Sequence, residues 1–143
     1  MAIVNPYLNF NGNTEEAFNF YKSVFGTEFL ATIRFKDMPG GDKMQPSDGE
    51  KLMHIALPVG NGNILMATDM LESQGQVLKA GNNFSLSVTA ESEEEALKFF
   101  NGLSAGGNME VPFDKASWGA YFGMFTDKFG MRWMINYDPN QSK

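Results

Sequence analysis

Residues 118–137 read WGAYFGMFTDKFGMRWMINY, and the prediction of the fold starts from this segment. Two apolar runs rich in aromatic residues flank Asp127-Lys128-Phe129-Gly130, a pattern that predicts two β-strands joined by a tight turn. Gly130 can adopt a positive φ, and the Asp127 carboxylate can accept hydrogen bonds from the turn backbone. Because so apolar a hairpin is not stable alone in water, we expect a larger sheet covered by helices.

The composition narrows the class of protein. The chain has 143 residues, 43% of them hydrophobic, which is enough for one folded domain with a full core. A net charge of −6 without a basic cluster argues against nucleic-acid binding, and no apolar run approaches the ~20 residues of a membrane span. No secretion-signal pattern is present, so we expect a cytoplasmic protein. The absence of cysteine excludes disulfides, thiolate metal ligands and a cysteine nucleophile.

The first half of the chain predicts a strand, a helix and three more strands. Asn13 is a candidate helix cap with Glu16 three residues later, and Gly26 is placed to end the helix. Pro6 restricts the first strand to a sheet edge or to an early strand position. The glycine- and proline-rich residues 37–50 predict a loop without regular structure. The predicted strands are residues 3–10, 27–36, 51–59 and 64–68.

The second half repeats this order of elements. A strand at residues 84–89 precedes a helix that starts with a capping box, Ser92 to Glu95, and the strands 109–113 and the C-terminal hairpin follow. The two helix starts are also similar in sequence, NTEEAFNFY and SEEEALKFF. This repeat predicts two βαβββ modules, about 1–72 and 80–143, joined by a polar linker.

A single helix in each module can cover only one face of its sheet. The other face carries side chains that are too polar for a dry core: Asn5, Tyr7, Asn9, Asn83, Ser85 and Ser87. We therefore predict an α+β fold in which two curved mixed sheets form a partly polar cleft.

Several motifs resemble one known family. They are NPYLNF at residues 5–10, AFNFYKSVFG at 17–26, MHIAL at 53–57 and the segment from Trp118 to Asn136. Through them the chain resembles the PhnB-like branch of the vicinal oxygen chelate superfamily, whose fold is also called the glyoxalase/bleomycin-resistance fold. The resemblance spans nearly the whole chain. It implies two βαβββ modules and a homodimer with the cleft near the subunit interface.

Metal-dependent members of this superfamily hold a divalent ion with His, Gln or Glu side chains from four strands. The matching positions here are Asn5, His54, Asn83 and Met134. Only His54 is a good ligand, since Asn oxygens bind weakly and a thioether suits neither zinc nor magnesium. We therefore expect no cofactor and a degenerate metal site. A divalent metal held by His54 together with acids from the 37–50 loop is the alternative.

His54 is the single histidine and the candidate catalytic residue, as a general base. It can equally serve only to hydrogen-bond a neighbouring strand or another cleft residue. Arg132 could bind a carboxylate or phosphonate, or lie solvated beside the turn. Trp118 could line a pocket or fill the core. The predicted ligand-binding residues are Tyr7, Asn9, Ser85, Trp118, Arg132 and Asn136.

The leading functional hypothesis is therefore a PhnB-like protein that binds a small molecule in a cleft without a conventional metal centre. One alternative is a metal-dependent lyase, isomerase or dioxygenase of the glyoxalase type. A second is a resistance-type protein that sequesters a drug-like compound. The sequence identifies no substrate, because function resides in a site rather than in a fold.

Overall fold

A computed structural model describes residues 2–140, and the chain divides into two compact units, Met1–Lys79 and Ala80–Lys143. The first unit contains a four-stranded sheet in the order β1-β4-β3-β2, in which β1 and β4 are parallel and the other pairs antiparallel. Its elements are β1 (Tyr7–Phe10), α1 (Thr14–Phe25), β2 (Ala31–Arg34), α2 (Pro46–Gly49), β3 (Leu52–Gly60) and β4 (Asn63–Asp69).

The second unit has the same connectivity. Its sheet runs β5-β8-β7-β6, again with a parallel pair between the first and last strands. The predicted α+β fold with two βαβββ modules and mixed sheets is therefore confirmed. The elements are β5 (Leu86–Thr89), α3 (Glu93–Ser104), β6 (Asn108–Lys115), β7 (Tyr121–Thr126) and β8 (Arg132–Tyr137).

Each helix buries its apolar stripe against one face of its own sheet. In the first unit Phe18 of α1 packs edge-on against Phe10, with ring centroids 6.3 Å apart, and both side chains are buried. In the second unit Phe100 of α3 makes the same kind of contact with Phe125 at 5.2 Å. Edge-to-face aromatic pairs of this kind add to the stabilisation from apolar burial. Because strand side chains alternate, the opposite face of each sheet is left uncovered by α1 or α3, and we call it the helix-free face.

The C-terminal hairpin forms as the sequence predicts. Asp127 Oδ1 accepts hydrogen bonds from the backbone N–H groups of Phe129 and Met131, at 2.8 and 3.0 Å, and Gly130 has a φ of 92°. The other carboxylate oxygen accepts the indole N–H of Trp133 at 2.8 Å, and that side chain is buried. One carboxylate thus fixes both the turn and the orientation of a large core residue.

Two expectations for the first unit are wrong. The first strand begins at Tyr7 rather than Ile3, because Pro6 has no N–H to donate to the sheet. The carbonyl of Pro6 still accepts a hydrogen bond from Met66. The segment 37–50, predicted to lack regular structure, contains two short helices. A 3₁₀ helix, Phe35–Asp37, ends at its start, a second one spans Gly41–Lys43, and α2 lies near its end. Pro46 favours α2, because proline suits the first turn of a helix.

The cap of α1 also differs from the prediction. Asn13 occupies the cap position but makes no capping hydrogen bond with its side chain. Instead the buried Asp69, at the end of β4, accepts from Gly12 N (3.0 Å), Thr14 N (3.0 Å) and Thr14 Oγ1 (2.6 Å). Its second oxygen accepts from Leu52 N at 2.8 Å. At α3 the prediction is confirmed, because Ser92 Oγ accepts from Glu95 N at 3.0 Å.

No helix within residues 2–140 is long and apolar enough to cross a lipid bilayer.

Candidate functional site

The helix-free face of the first sheet presents several of the predicted binding residues. Along β1, Tyr7 and Asn9 are exposed and alternate with Leu8 and Phe10, which are buried on the helix side. This alternation follows from the period of two in a β-strand. The sequence-based assignment of Tyr7 and Asn9 to one face is therefore correct.

A β-bulge in β3 breaks the alternation at the centre of this face. Ile33 of β2 pairs with His54, whereas the next residue, Arg34, pairs with Leu52. Met53 is the extra residue, and a bulge of this kind opposes two residues on one strand to one on its partner. The side chains of β3 that are fully buried are accordingly Leu52, Ile55 and Leu57. The step from the first to the second is three positions, and the next step is the two positions of a regular strand. Met53 and His54 are both left half-buried outside the helix-facing core.

Tyr7 and His54 are joined by a hydrogen bond. The distance from Tyr7 Oη to His54 Nδ1 is 3.0 Å, and the ring centroids are 5.7 Å apart. Since β4 lies between β1 and β3, the contact crosses a whole strand, which requires both side chains on the same face. Partial burial raises the pKa of the Tyr7 phenol, so the hydroxyl stays protonated well above neutral pH. The tautomer of His54 decides which of the two groups donates.

A pocket of about 610 Å³ lies beside this pair, and Tyr7 and Asn9 form part of its wall. Its apolar lining comes from the segment before α2, from β3 and from the residues that follow β4: Phe35, Met44, Met53, Met70 and Leu71. Its other polar lining residues are Thr68, Asp69, Gln74 and Gln76. The lining is therefore about half apolar and half polar, so the pocket can hold a small molecule by both kinds of contact.

The pocket wall carries no available charge. Among the lining residues only Asp69 has an acidic side chain, and both of its oxygens are occupied by the hydrogen bonds that cap α1 and anchor β3. Within residues 2–140 neither Lys nor Arg lines the pocket. Hydrogen-bonding capacity therefore comes from neutral groups, namely the amides of Asn9, Gln74 and Gln76 and the hydroxyls of Tyr7 and Thr68.

Two segments that border the pocket are tied together by Asp48 of α2. Its Oδ2 accepts a hydrogen bond from Ser73 Oγ at 2.5 Å, and its Oδ1 lies 3.2 Å from Lys51 Nζ. The Ser73 hydroxyl, and secondarily Lys51, lowers the pKa of the Asp48 carboxyl. Two other acids near this loop are also engaged, because Asp37 accepts from Arg34 N and Glu50 pairs with Lys36. These contacts give Asp37, Asp48 and Glu50 a structural role.

The donors at the expected metal positions do not fit a conventional divalent site. In the first unit Asn5 Oδ1 accepts from Ile64 N at 3.3 Å, and His54 Nδ1 contacts Tyr7. In the second unit Asn83 is exposed and Met134 offers only a soft thioether. Across residues 2–140 no three His, Asp or Glu side chains gather closely enough to hold a metal ion. A catalytic zinc needs about three such ligands.

The remaining predicted binding residues belong to the second unit. Arg132 forms a bidentate ion pair with Glu110, at 2.8 and 3.3 Å, and donates to the carbonyl of Asn82 at 2.9 Å. The guanidinium thereby lowers the pKa of Glu110. Asn136 Nδ2 donates to Ser87 Oγ at 3.1 Å. Trp118 is 71% exposed, so it does not fill the core, and Ser85 is half-buried.

Sequence reasoning missed the residues that form most of the pocket. Methionines generally fill irregular gaps in a core, so the sequence offers no reason to assign Met44, Met53 and Met70 to a pocket. Strict alternation would place Met53 and His54 on opposite faces of the sheet. The bulge in β3 brings both side chains to the same face. The high methionine content, ten residues, was the available signal, but nothing in the sequence distinguishes lining methionines from core ones.

The chain is similar to known proteins over nearly its whole length. The model of the family described as 3-demethylubiquinone-9 3-methyltransferase matches residues 2–136. Protein YjdN of Escherichia coli (strain K12) is 32% identical, over 96% of this chain and 97% of that protein. The crystal structure of protein PA1353 from Pseudomonas aeruginosa is 37% identical with a TM-score of 0.83, covering 96% of this chain and 98% of that one.

Two further solved structures relate the fold to a wider group. A putative 3-demethylubiquinone-9 3-methyltransferase, PhnB protein, from Bacillus cereus is 28% identical with a TM-score of 0.77, covering 95% of this chain and 99% of its own. A glyoxalase-related enzyme from Fulvimarina pelagi, at 21% identity and a TM-score of 0.63, covers 97% and 90% and shares the fold alone. The predicted glyoxalase/bleomycin-resistance fold is thereby confirmed.

Proposed function

This chain belongs to the family described as 3-demethylubiquinone-9 3-methyltransferase, and from that membership we propose that it is a PhnB-like protein that binds a small uncharged molecule in the pocket of its first unit. The membership confirms the resemblance to the PhnB-like branch drawn from the sequence. The proposal includes no conventional metal centre, because Asn5, Asn83 and Met134 at the expected positions are poor ligands for such an ion.

The pocket is the observation that carries this proposal. Its volume of about 610 Å³ falls within the range of roughly 300–1,000 Å³ typical of small-molecule sites. Its walls combine apolar side chains with neutral amides and hydroxyls, and the one carboxylate among them is fully hydrogen-bonded. Because an uncompensated ligand charge would be costly to bury here, the environment favours a neutral occupant.

Methyl transfer, which the family description names, has no support in the residues of this chain. A methyl-donor nucleotide is usually held by a glycine-rich turn between a strand and a helix. The turn between β1 and α1 contains one glycine, and the N–H groups of Gly12 and Thr14 there already donate to Asp69. At the corresponding turn of the second unit, Glu93, Glu94 and Glu95 disfavour an anionic group. Binding is therefore proposed in preference to methylation.

Substitution of Met53 by tryptophan should test the pocket directly. The larger side chain fills pocket volume, so the affinity for the neutral fluorescent probe N-phenyl-1-naphthylamine should fall by about tenfold or more. The probe can be titrated by its fluorescence increase. Met38→Trp is the matched control, since Met38 is 40% exposed and does not line the pocket. Equal affinity in Met53→Trp and wild-type protein would rule out this pocket as the binding site.

The Tyr7–His54 pair favours a second candidate, in which the protein moves a proton on the bound molecule. Tyr7 lines the pocket and is neutral at physiological pH, and His54 Nδ1 lies within hydrogen-bond distance of its hydroxyl. The Tyr7 hydroxyl can therefore take a proton from the bound molecule while it gives its own proton to His54 Nδ1. Acid–base steps of this kind serve lyases and isomerases that act next to a carbonyl group.

This second candidate predicts proton exchange catalysed by the pair. In deuterated water, wild-type protein should incorporate deuterium next to the carbonyl of small uncharged hydroxyketones, as followed by NMR. His54→Gln and Tyr7→Phe should each slow the exchange by about 10²-fold or more, which is the usual contribution of a positioned acid or base. Probe binding, measured in parallel, should persist in His54→Gln. Exchange no faster than in buffer, with compounds recovered unchanged, would eliminate this candidate and favour sequestration.

A further inference from the structure

We propose that the pocket of the first unit selects an aromatic ring that carries hydroxyl or carbonyl substituents, over a saturated molecule of the same size. This inference rests on the proposed function, because it specifies the ligand of the same pocket. Its basis is the particular chemistry of the walls, in which three methionines and two aromatic rings line one space whose single carboxylate, Asp69, is already hydrogen-bonded.

The three lining methionines come from separate parts of the fold. Met44 precedes α2, Met53 is the bulge residue of β3, and Met70 follows β4. None of the three is fully buried in the core. A thioether is polarisable and makes favourable contacts with aromatic rings at a distance of about 5 Å, which a saturated ligand cannot reproduce. Three such groups around one space favour a flat aromatic occupant.

Aromatic side chains complete the same wall. Phe35 and Tyr7 both line the pocket. Aromatic rings gain from edge-to-face or offset-stacked contacts with one another beyond the area they bury. A ring placed against Phe35 and the methionines would therefore gain two kinds of contact that depend on its π-electrons.

The polar part of the pocket defines the substituents. The Gln76 carbonyl oxygen accepts a hydrogen bond from Leu71 N at 2.7 Å, which leaves the amide NH₂ group as its donor. The Thr68 hydroxyl donates towards the carbonyls of Leu52 and Asp69, at 3.3 and 3.4 Å, so its oxygen can still accept. Donor and acceptor together match a hydroxyl or carbonyl group on an aromatic ring, as in phenols and aryl ketones.

A matched pair of ligands tests the inference separately from the proposed function. Isothermal titration with 2-naphthol and its saturated counterpart, decahydro-2-naphthol, should show the aromatic alcohol binding about tenfold more tightly. The anion 2-naphthoate should bind more weakly than 2-naphthol, because no Lys or Arg lines the pocket. If neither alcohol binds, the proposed function fails. If both bind equally, binding stands and the aromatic preference is wrong.

Methionine-to-leucine variants then identify the source of the preference. Met53→Leu, and the triple variant that adds Met44→Leu and Met70→Leu, keep the side-chain volume and remove sulfur. The ratio of the two affinities should fall several-fold in the triple variant, while the saturated alcohol binds as before. Met38→Leu, outside the pocket, should leave the ratio unchanged. An unchanged ratio in the triple variant would overturn the role of the thioethers. If the triple variant does not fold, Met53→Leu gives the same test with a smaller expected change.

Discussion

Asp69→Asn is expected to lower the free energy of unfolding by about 2–4 kcal/mol, although it changes only one atom of a side chain. The buried carboxylate of Asp69 accepts four hydrogen bonds, from two backbone groups and one hydroxyl at the start of α1 and from Leu52 N in β3. An asparagine retains one acceptor oxygen and turns an NH₂ group towards the remaining donor. At least one buried N–H then faces another donor.

Chemical denaturation followed by circular dichroism measures this loss. Asp42→Asn is the matched control, since Asp42 is exposed in the loop before α2 and should change the stability by no more than about 0.5 kcal/mol. Amide exchange at Gly12, Thr14 and Leu52 should accelerate in Asp69→Asn. A loss of stability below about 1 kcal/mol would show that this carboxylate does not anchor the first unit.

Gly123→Ala is expected to destabilise the second unit by about 3 kcal/mol through overpacking. A β-carbon at Gly123 would lie 2.6 Å from a ring carbon of Phe100 and 2.9 Å from the Cα of Phe113. Gly123 is in the middle of β7, between β6 and β8, and Phe100 is wedged between α3 and the sheet. Neither a paired central strand nor a buried ring can shift cheaply.

Gly81→Ala separates this contact from the general effect of adding a methyl group. Gly81 does not have a positive φ, and a β-carbon there meets only the side-chain oxygen of Asn83, at 4.0 Å. That substitution should be neutral or slightly stabilising, because alanine restricts the unfolded chain. Thermal unfolding of the two variants would compare them. Equal melting temperatures would contradict the close packing of α3 on β7.

Much of the architecture was predictable because it depends on local patterns. The C-terminal hairpin, the Ser92 cap of α3 and the apolar stripes of both helices each depend on residues within a few positions of one another. The repeat of βαβββ order could be read from the same patterns. Proteins that are 28–37% identical to this chain share its fold.

The candidate site was predictable only in part. Alternation along β1 correctly grouped Tyr7 with Asn9, and the single histidine, His54, contacts Tyr7. Arg132 was proposed as an anion site, but Glu110 already satisfies its guanidinium. That partner lies 22 residues away in β6, so strand pairing rather than sequence spacing brings the two together.

By itself, the sequence determined the class of fold, the doubled module and the two faces of β1, because periodicity and turn chemistry act over a few residues. Only the tertiary structure decided which groups meet across the sheet: Asp69 with the start of α1, 55 residues away, and Tyr7 with His54, 47 residues away. It also decided that Met53 joins the pocket, through a bulge that depends on the pairing of β2 with β3. Contacts of this kind arise from packing and strand register, which bring together residues that are far apart in the chain.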